Sequence, residues 1–345
     1  MNNIIKITLP NDMHVHFREG EILDFAVNAT AKNFHYAIAM PNLKEPIVTY
    51  EMAINYYEQI KKVSKYSHFK PLVTLYMSSQ ILEKDIIKSA QDERVIGVKL
   101  YPAGVTTNSE KGVGNLRSCY KVLEWMEKYN LNLLIHGEVS NKETDIFDRE
   151  KFFIDELIEI TKNFPNLKVI FEHISTKDAV QYVESASELI AATITPQHLI
   201  LNRNDFLSGG IRPHNYCLPV LKREEHRKAI ERAATSGNSR FFLGTDSAPH
   251  FKNQKESACG CAGVFSAANA LELYLEVFEK NNALDQFENF AVNNSSSFYN
   301  LEKSTKKITF VKKPHVLPSD YSVGDNVIVP FKANETASWK VSIDI

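Results

Sequence analysis

The chain has 345 residues, 43% of them hydrophobic, enough to bury a large core. Its 40 basic and 42 acidic residues leave a net charge of −2, which argues against the basic face that nucleic-acid binding requires. No apolar run approaches the roughly 18 residues of a membrane span, and four cysteines are too few for a disulfide scaffold in a chain of this length.

The opening, MNNIIKITLPND, lacks the charged start and long apolar stretch of a signal peptide, so a cytoplasmic protein is expected. From Ile4 onward, short apolar runs rich in β-branched residues recur. The first is IIKITLP from Ile4, leading into HVHFR, and the second is HYAIAMP from His35. TYEMAINYYEQIKKV from Thr49 has apolar residues three and four apart, the spacing of a helix packed on one face. PLVTLYM from Pro71 and RVIGVKLYP from Arg94 are apolar runs again, and SCYKVLEWMEKY from Ser118 is helical. LNLLIHGE from Leu131 precedes the helical DREKFFIDELIEITKNF from Asp148. LKVIFEHI from Leu167 and LIAATITPQH from Leu189 are followed by the helical KREEHRKAIERAATSG from Lys222, and the eighth apolar run is SRFFLGTDSAPH from Ser239.

Short, nearly continuous apolar runs fit parallel strands buried on both faces. Repeated alternation of strand and helix predicts an α/β fold, a (β/α)₈ TIM barrel. An open doubly wound sheet gives similar alternation; the count of eight and the placement of polar residues favour the barrel. From about Lys306, ITFVKKPHVLP and DNVIVPFKANETASWKVSI read as short strands. The expectation is one domain over 1–345, with 306–345 a C-terminal β tail packed on the barrel.

Most of these runs end in residues foreign to a core: His14, His16 and Arg18 after the first, Asn42 after the second, and Lys99 in the fourth. His136 closes the fifth, His173 the sixth, and Asp246 with His250 the eighth. Strand ends converge on one face of a barrel, where active sites are built. Taken singly, each has a structural reading: a hydrogen-bonded core histidine, or an aspartate capping a turn. Together, four histidines and a carboxylate suit zinc or a similar divalent ion. Lys99 lies between apolar neighbours, where burial and nearby cations both oppose an ammonium. It either loses its proton and captures carbon dioxide as a carbamate, or snorkels to the mouth or pairs with Asp246.

HVHFR, MPN, VKLYPAGVTTNS, HGE, FEHI, ATITPQHL, RPHNYCLP, GTDSAPH and ESACGCAG together resemble the short-chain dihydroorotases, members of the amidohydrolase superfamily of metallo-dependent hydrolases. The resemblance runs from about Leu9 to the tail. It implies two divalent metal ions, most simply zinc. His14 and His16 would bind the more buried ion, His136 and His173 the more exposed one, and Lys99, as N6-carboxylysine, would bridge them. Asp246 would bind the buried ion and serve as acid and base. Substrate contacts would come from Arg18, Asn42 and His250 to a carboxylate, from Leu218 and Ala262 to the ring amide, and also from His16 and His136. The loop Ala103 to Gly112, with Thr106 and Thr107, matches one that closes over substrate. The implied reaction is reversible cyclisation of N-carbamoyl-L-aspartate to dihydroorotate through a hydroxide bridging the metals. A small-molecule substrate, a homodimer, no nucleic acid and no membrane complete the expectation. Hydantoinases and allantoinases are the rival enzymes, and a catalytically inactive scaffold the rival of another class. Only 13 residues precede His14, which favours the short-chain type, since the others build a sandwich partly from sequence before it.

Other residues draw structural readings. Cys259 and Cys261 make an incomplete metal site and read as buried thiols. His198 reads as structural, and His35, His68, His226 and His315 as incidental. Glu138 either orients His136 or belongs to a turn.

Overall fold

The computed structural model describes residues 3–258 and 260–342. Eight parallel strands follow one another in one sheet. The first four after an N-terminal strand β1 (Ile4–Thr8) are β2 (Asp12–Val15), β3 (Tyr36–Ala39), β4 (Lys70–Tyr76) and β5 (Val95–Leu100). The rest are β6 (Asn132–Ile135), β7 (Val169–Phe171), β8 (Ile190–Ile194) and β9 (Phe241–Leu243). Every residue of β2, β3, β5, β8 and β9 is buried, as parallel strands covered on both faces must be. Each barrel strand sends at least one side chain to a common inner cluster, among them Met13, Ile38, Leu134 and Phe242. The sequence neighbours Ala37, Leu133 and Leu243 belong to the larger cluster that includes the surrounding helices. The predicted helices form at Tyr50–Val63, Tyr120–Lys128, Arg149–Asn163 and Glu224–Thr235. Thr49 starts the first of them by accepting the Met52 N–H at 3.3 Å.

The sheet closes between β2 and the chain just after β9. Val15 and Ser247 form a parallel bridge, the Asp246 N–H donates to the His14 carbonyl at 2.8 Å, and the His16 N–H donates to Ser247 at 2.9 Å. The barrel seam is therefore made by the backbone of the residues singled out as metal ligands.

One expected element is different. IIKIT is not a barrel strand: β1 pairs antiparallel with β10 (Lys307–Val316), which pairs in turn with the last strand, Thr336–Ser342. A separate two-stranded ribbon joins Tyr321–Val323 to Asn326–Ile328. The barrel's first strand is the shorter Asp12–Val15, with His14 inside it. Burial gives the reason. Along β1 exposure and burial alternate, Ile4 being exposed and Ile7 buried, which suits a sheet solvated on one side rather than a barrel wall. The C-terminal segment is thus stitched to the N-terminus. Trp339, fully buried there, donates its indole N–H to Glu279 at 3.0 Å. Trp339→Ala is expected to cost about 3–5 kcal/mol, seen as one earlier thermal transition. Two separate transitions would show that this segment folds apart from the barrel. No described helix is long and apolar enough to cross a membrane.

Candidate active site

Asp12, a buried residue of β2, anchors the chain after β9. Its carboxylate accepts the Thr245 N–H at 2.8 Å and the Thr245 hydroxyl at 2.6 Å. With the seam bonds, this brings Asp246 Oδ1 to 3.3 Å from His14 Nε2 and 3.1 Å from His16 Nε2. The two ring nitrogens face one another at 3.3 Å. Burial would raise the Asp246 carboxyl, but the adjoining histidines hold it ionised, well below the carboxylate range. Burial would lower His14; Glu172 and Asp246 overcome it and hold the ring up to about 9. His16 falls to about 4 through burial, with Arg18 adding to the effect.

Lys99 is fully buried between Val98 and Leu100, which pack outward, so its side chain enters the barrel. It does not snorkel, and its partner is Glu172 rather than Asp246. Glu172 Oε1 also lies 2.9 Å from His14 Nδ1, off the hydrogen-bond direction but within strong charge attraction. Burial pushes the Lys99 ammonium down, against the pull of Glu172. Its Nζ stands 5.0 Å over the Tyr101 ring.

His136, just past β6, places Nε2 2.7 Å from Glu138 Oε2, which settles Glu138 as the group that orients the ring. His173 lies two residues past β7. Its ring centroid is 4.9 Å from that of His14 and 4.7 Å from that of His136. Its backbone N–H donates to Thr193 Oγ1 at 2.7 Å, while its buried Nδ1 has no partner among the described residues. The following turn is held by Glu150, whose carboxylate accepts both N–H groups and both hydroxyls of Ser175 and Thr176 at 2.6–2.9 Å. Arg18, His173 and Asp246 have φ of 59°, 42° and 46°. The left-handed region costs a non-glycine residue about 1–3 kcal/mol, a strain that clusters where side chains must be aimed.

One cavity above this cluster is lined by His16, Arg18, Asn42, Thr106, Thr107, His136, Leu218 and Ala262, together with Tyr101, His173 and Asp246. His250 reaches it through Arg18: Arg18 Nη2 lies 2.9 Å from His250 Nε2. Burial, then the Arg18 charge, takes His250 down to about 2, so the ring is neutral; its Nε2 faces both the guanidinium, from which it can only accept, and the Ala262 carbonyl at 3.0 Å, to which it can only donate. The 103–112 loop stands over the mouth. Asn42 Nδ2 donates to the Thr107 carbonyl at 2.9 Å, and Asn108 Nδ2 donates to the Asn42 carbonyl at 3.0 Å. Lys111 pairs with Glu45 at 2.9 Å on the outer rim.

The donor set fits a divalent cation. His14, His16 and Asp246 bring three ligand atoms within 4.8 Å of one another. Two imidazole nitrogens converge on one carboxylate oxygen, and a third, His173 Nδ1, is buried without a partner among the described residues. Nitrogen and oxygen donors of this kind suit zinc and its neighbours. A carbamate on Lys99 would set a second anion beside Glu172, which two cations would balance and none would leave strongly repulsive.

Sequence reasoning missed Glu172, Asp12, Glu150 and Tyr101. An acid inside the apolar run VIFEHI was the available signal for Glu172; Asp12, Glu150 and Tyr101 had none. His198 is structural as expected, bonding Thr195 Oγ1 and the Pro219 carbonyl, each at 2.8 Å. His35 and His68 bond backbone carbonyls at 2.8 Å away from the site. Cys261 is half-buried rather than buried, and Cys259 lies outside the described residues.

Residues 7–309 match the amidohydrolase family. A dihydroorotase of Shewanella oneidensis is 49% identical over 339 residues, 98% of this chain and 99% of the relative. The crystal structure of Saccharomyces cerevisiae dihydroorotase in complex with 5-fluoroorotic acid superposes with a TM-score of 0.92 at 34% identity, covering 99% of this chain and 98% of that one. That of Campylobacter jejuni dihydroorotase gives 0.91 at 34%, with the same coverage.

Proposed function

This chain belongs to the amidohydrolase family, and on that premise we propose that it catalyses the reversible cyclisation of N-carbamoyl-L-aspartate to (S)-dihydroorotate plus water. This is the dihydroorotase reaction, the third step of pyrimidine (UMP) biosynthesis. The observation that carries the reading is a cationic clamp, Arg18 with His250 and Asn42, opening on the same cavity as Asp246. A cyclic amide bearing a carboxylate fills both halves. Hydantoin and allantoin carry no carboxylate and would leave the Arg18 charge buried and unmatched, which is costly.

In this reading His14, His16 and Asp246 would hold one ion, His136 and His173 would hold a second, and carboxylated Lys99 would serve as a ligand shared by both. Such ions, most simply zinc, supply an acidified water at neutral pH and Lewis acidity toward the amide carbonyl. Arg18 receives the substrate carboxylate through two parallel charge-assisted bonds, with Asn42 and His250 completing the clamp. Leu218 and Ala262 meet the ring amide, Thr106 and Thr107 cover it, and closure excludes bulk water. Asp246 takes the proton from the attacking water and delivers it to the departing ring nitrogen; in the biosynthetic direction the transfers reverse. Glu138 keeps His136 oriented through its hydrogen bond, and Glu172 holds His14 by charge attraction. A cytoplasmic homodimer belongs to the same reading, and light scattering tests the dimer.

Purified protein is expected to hydrolyse dihydroorotate, to lose activity on prolonged chelation, and to leave hydantoin and allantoin untouched. Hydantoin turnover with inert dihydroorotate would sink the reading. Arg18→Met is expected to raise KM by about 10–150-fold, the equivalent of about 1.5–3 kcal/mol for a hydrogen bond to a charged group. Its kcat should change much less; an unchanged KM would remove Arg18 from the clamp.

A further inference from the structure

Lys255 ends a short helix, Lys252–Lys255, behind the substrate cavity, and is buried. Its ammonium donates to the carbonyls of Tyr216 at 3.1 Å, Cys261 at 2.8 Å and Gly263 at 2.6 Å. Those are all the protons an ammonium has. The Tyr216 carbonyl accepts the Gly263 N–H as well, at 2.9 Å. One charge therefore staples segment 216–218 to segment 261–263, and each carries a residue lining the cavity, Leu218 and Ala262. The packing has no slack. Gly263 sits at φ +144°, and a Cβ there would lie 2.6 Å from the Ala248 carbonyl and 3.0 Å from the His250 ring. A shift of the 261–263 segment would be felt at the His250 arm of the carboxylate clamp.

We propose that Lys255 is a positioning residue for substrate recognition, setting the spacing of the Leu218 and Ala262 backbones and so tuning affinity for the ring amide. The inference rests on the dihydroorotase reading above. Burial pushes the ammonium down to about 8, so the staple loses its charge just above neutrality. The groups facing it are Tyr216 and Cys217 from one segment, Cys261 from the other, and Arg18 and His250 from the clamp. Burial raises the Tyr216 phenol and the Cys217 thiol, His250 is already neutral, and Arg18 keeps its charge.

The test measures KM and kcat for dihydroorotate, metal content and Tm in the wild type, Lys255→Met and Lys255→Arg. Lys255→Met is expected to keep its metal and raise KM about tenfold, with kcat changed less than about threefold, and Lys255→Arg to recover most of the loss. Wild-type KM should rise as pH passes about 8, and that of Lys255→Arg should stay flat. A folded Lys255→Met with unchanged KM, or loss confined to kcat, overturns the proposal. So does a pH rise that persists in Lys255→Arg, which would assign it to another group. Should Lys255→Met fail to fold, the pH comparison decides alone. A wild type inert toward dihydroorotate would instead overturn the functional reading.

Discussion

Asp246→Asn is expected to give a folded, metal-binding protein whose kcat falls by about 10²–10⁴-fold, the range lost with a positioned acid–base group. The substitution keeps what the backbone needs. Asp246 sits at φ 46°, a region that asparagine tolerates as well as aspartate, and its N–H bond to the His14 carbonyl involves no side chain. An amide oxygen still faces His14 Nε2 and His16 Nε2, now without charge. What disappears is the ability to take and return a proton. In the native site the histidines hold the carboxyl ionised, which makes it a ready acceptor for a proton from water. Initial rates in both directions, with metal content measured on the same samples, check the result. Near-normal kcat would place the proton shuttle elsewhere.

Lys99→Ala is expected to be more damaging still. In the metal-free protein, where Lys99 is an ammonium, it removes the partner of Glu172 and leaves a carboxylate fully buried beside His14, so stability should fall by about 3–5 kcal/mol, the cost of breaking a buried pair from one side. In the proposed metal-loaded site, where Lys99 would be an anion and not the partner of Glu172, it would instead remove the bridging ligand. Metal content should drop below the wild-type value, and kcat should fall by more than the about 10–100-fold that outer partners of a metal site contribute. A short carboxylic acid such as acetate should restore part of both, because the vacated space can take a small anion. Rescue separates a ligand role from simple destabilisation, which added acid would not repair. A Lys99→Ala protein that held two metals and turned over normally would show that the lysine is only a structural partner for Glu172.

Much of the fold and site was legible from residue type and local spacing. Eight apolar runs separated by amphipathic stretches implied the barrel, and polar residues at their ends implied a common face. The exception is instructive: IIKITLP is richer in β-branched residues than DMHV, yet strand pairing joins the first to Lys307–Val316 and puts the second in the barrel. Lys99 was conspicuous for its apolar neighbours, but its partner was not readable, since Glu172 lies 73 residues away and meets it only when the barrel closes.

By itself the sequence determined which residue types stand at the strand ends, and so what chemistry is available: imidazoles and a carboxylate for a metal, a guanidinium for an anion, one lysine where charge is disfavoured. These follow from short-range periodicity, which a linear chain displays. Only the tertiary structure decided the left-handed backbone of Arg18, His173 and Asp246, the pairing of Lys99 with Glu172, and the bond from Lys255 to the Tyr216 carbonyl. Each depends on groups far apart in the chain and held by closure of the barrel, and a local pattern carries no record of which distant carbonyl or carboxylate will arrive.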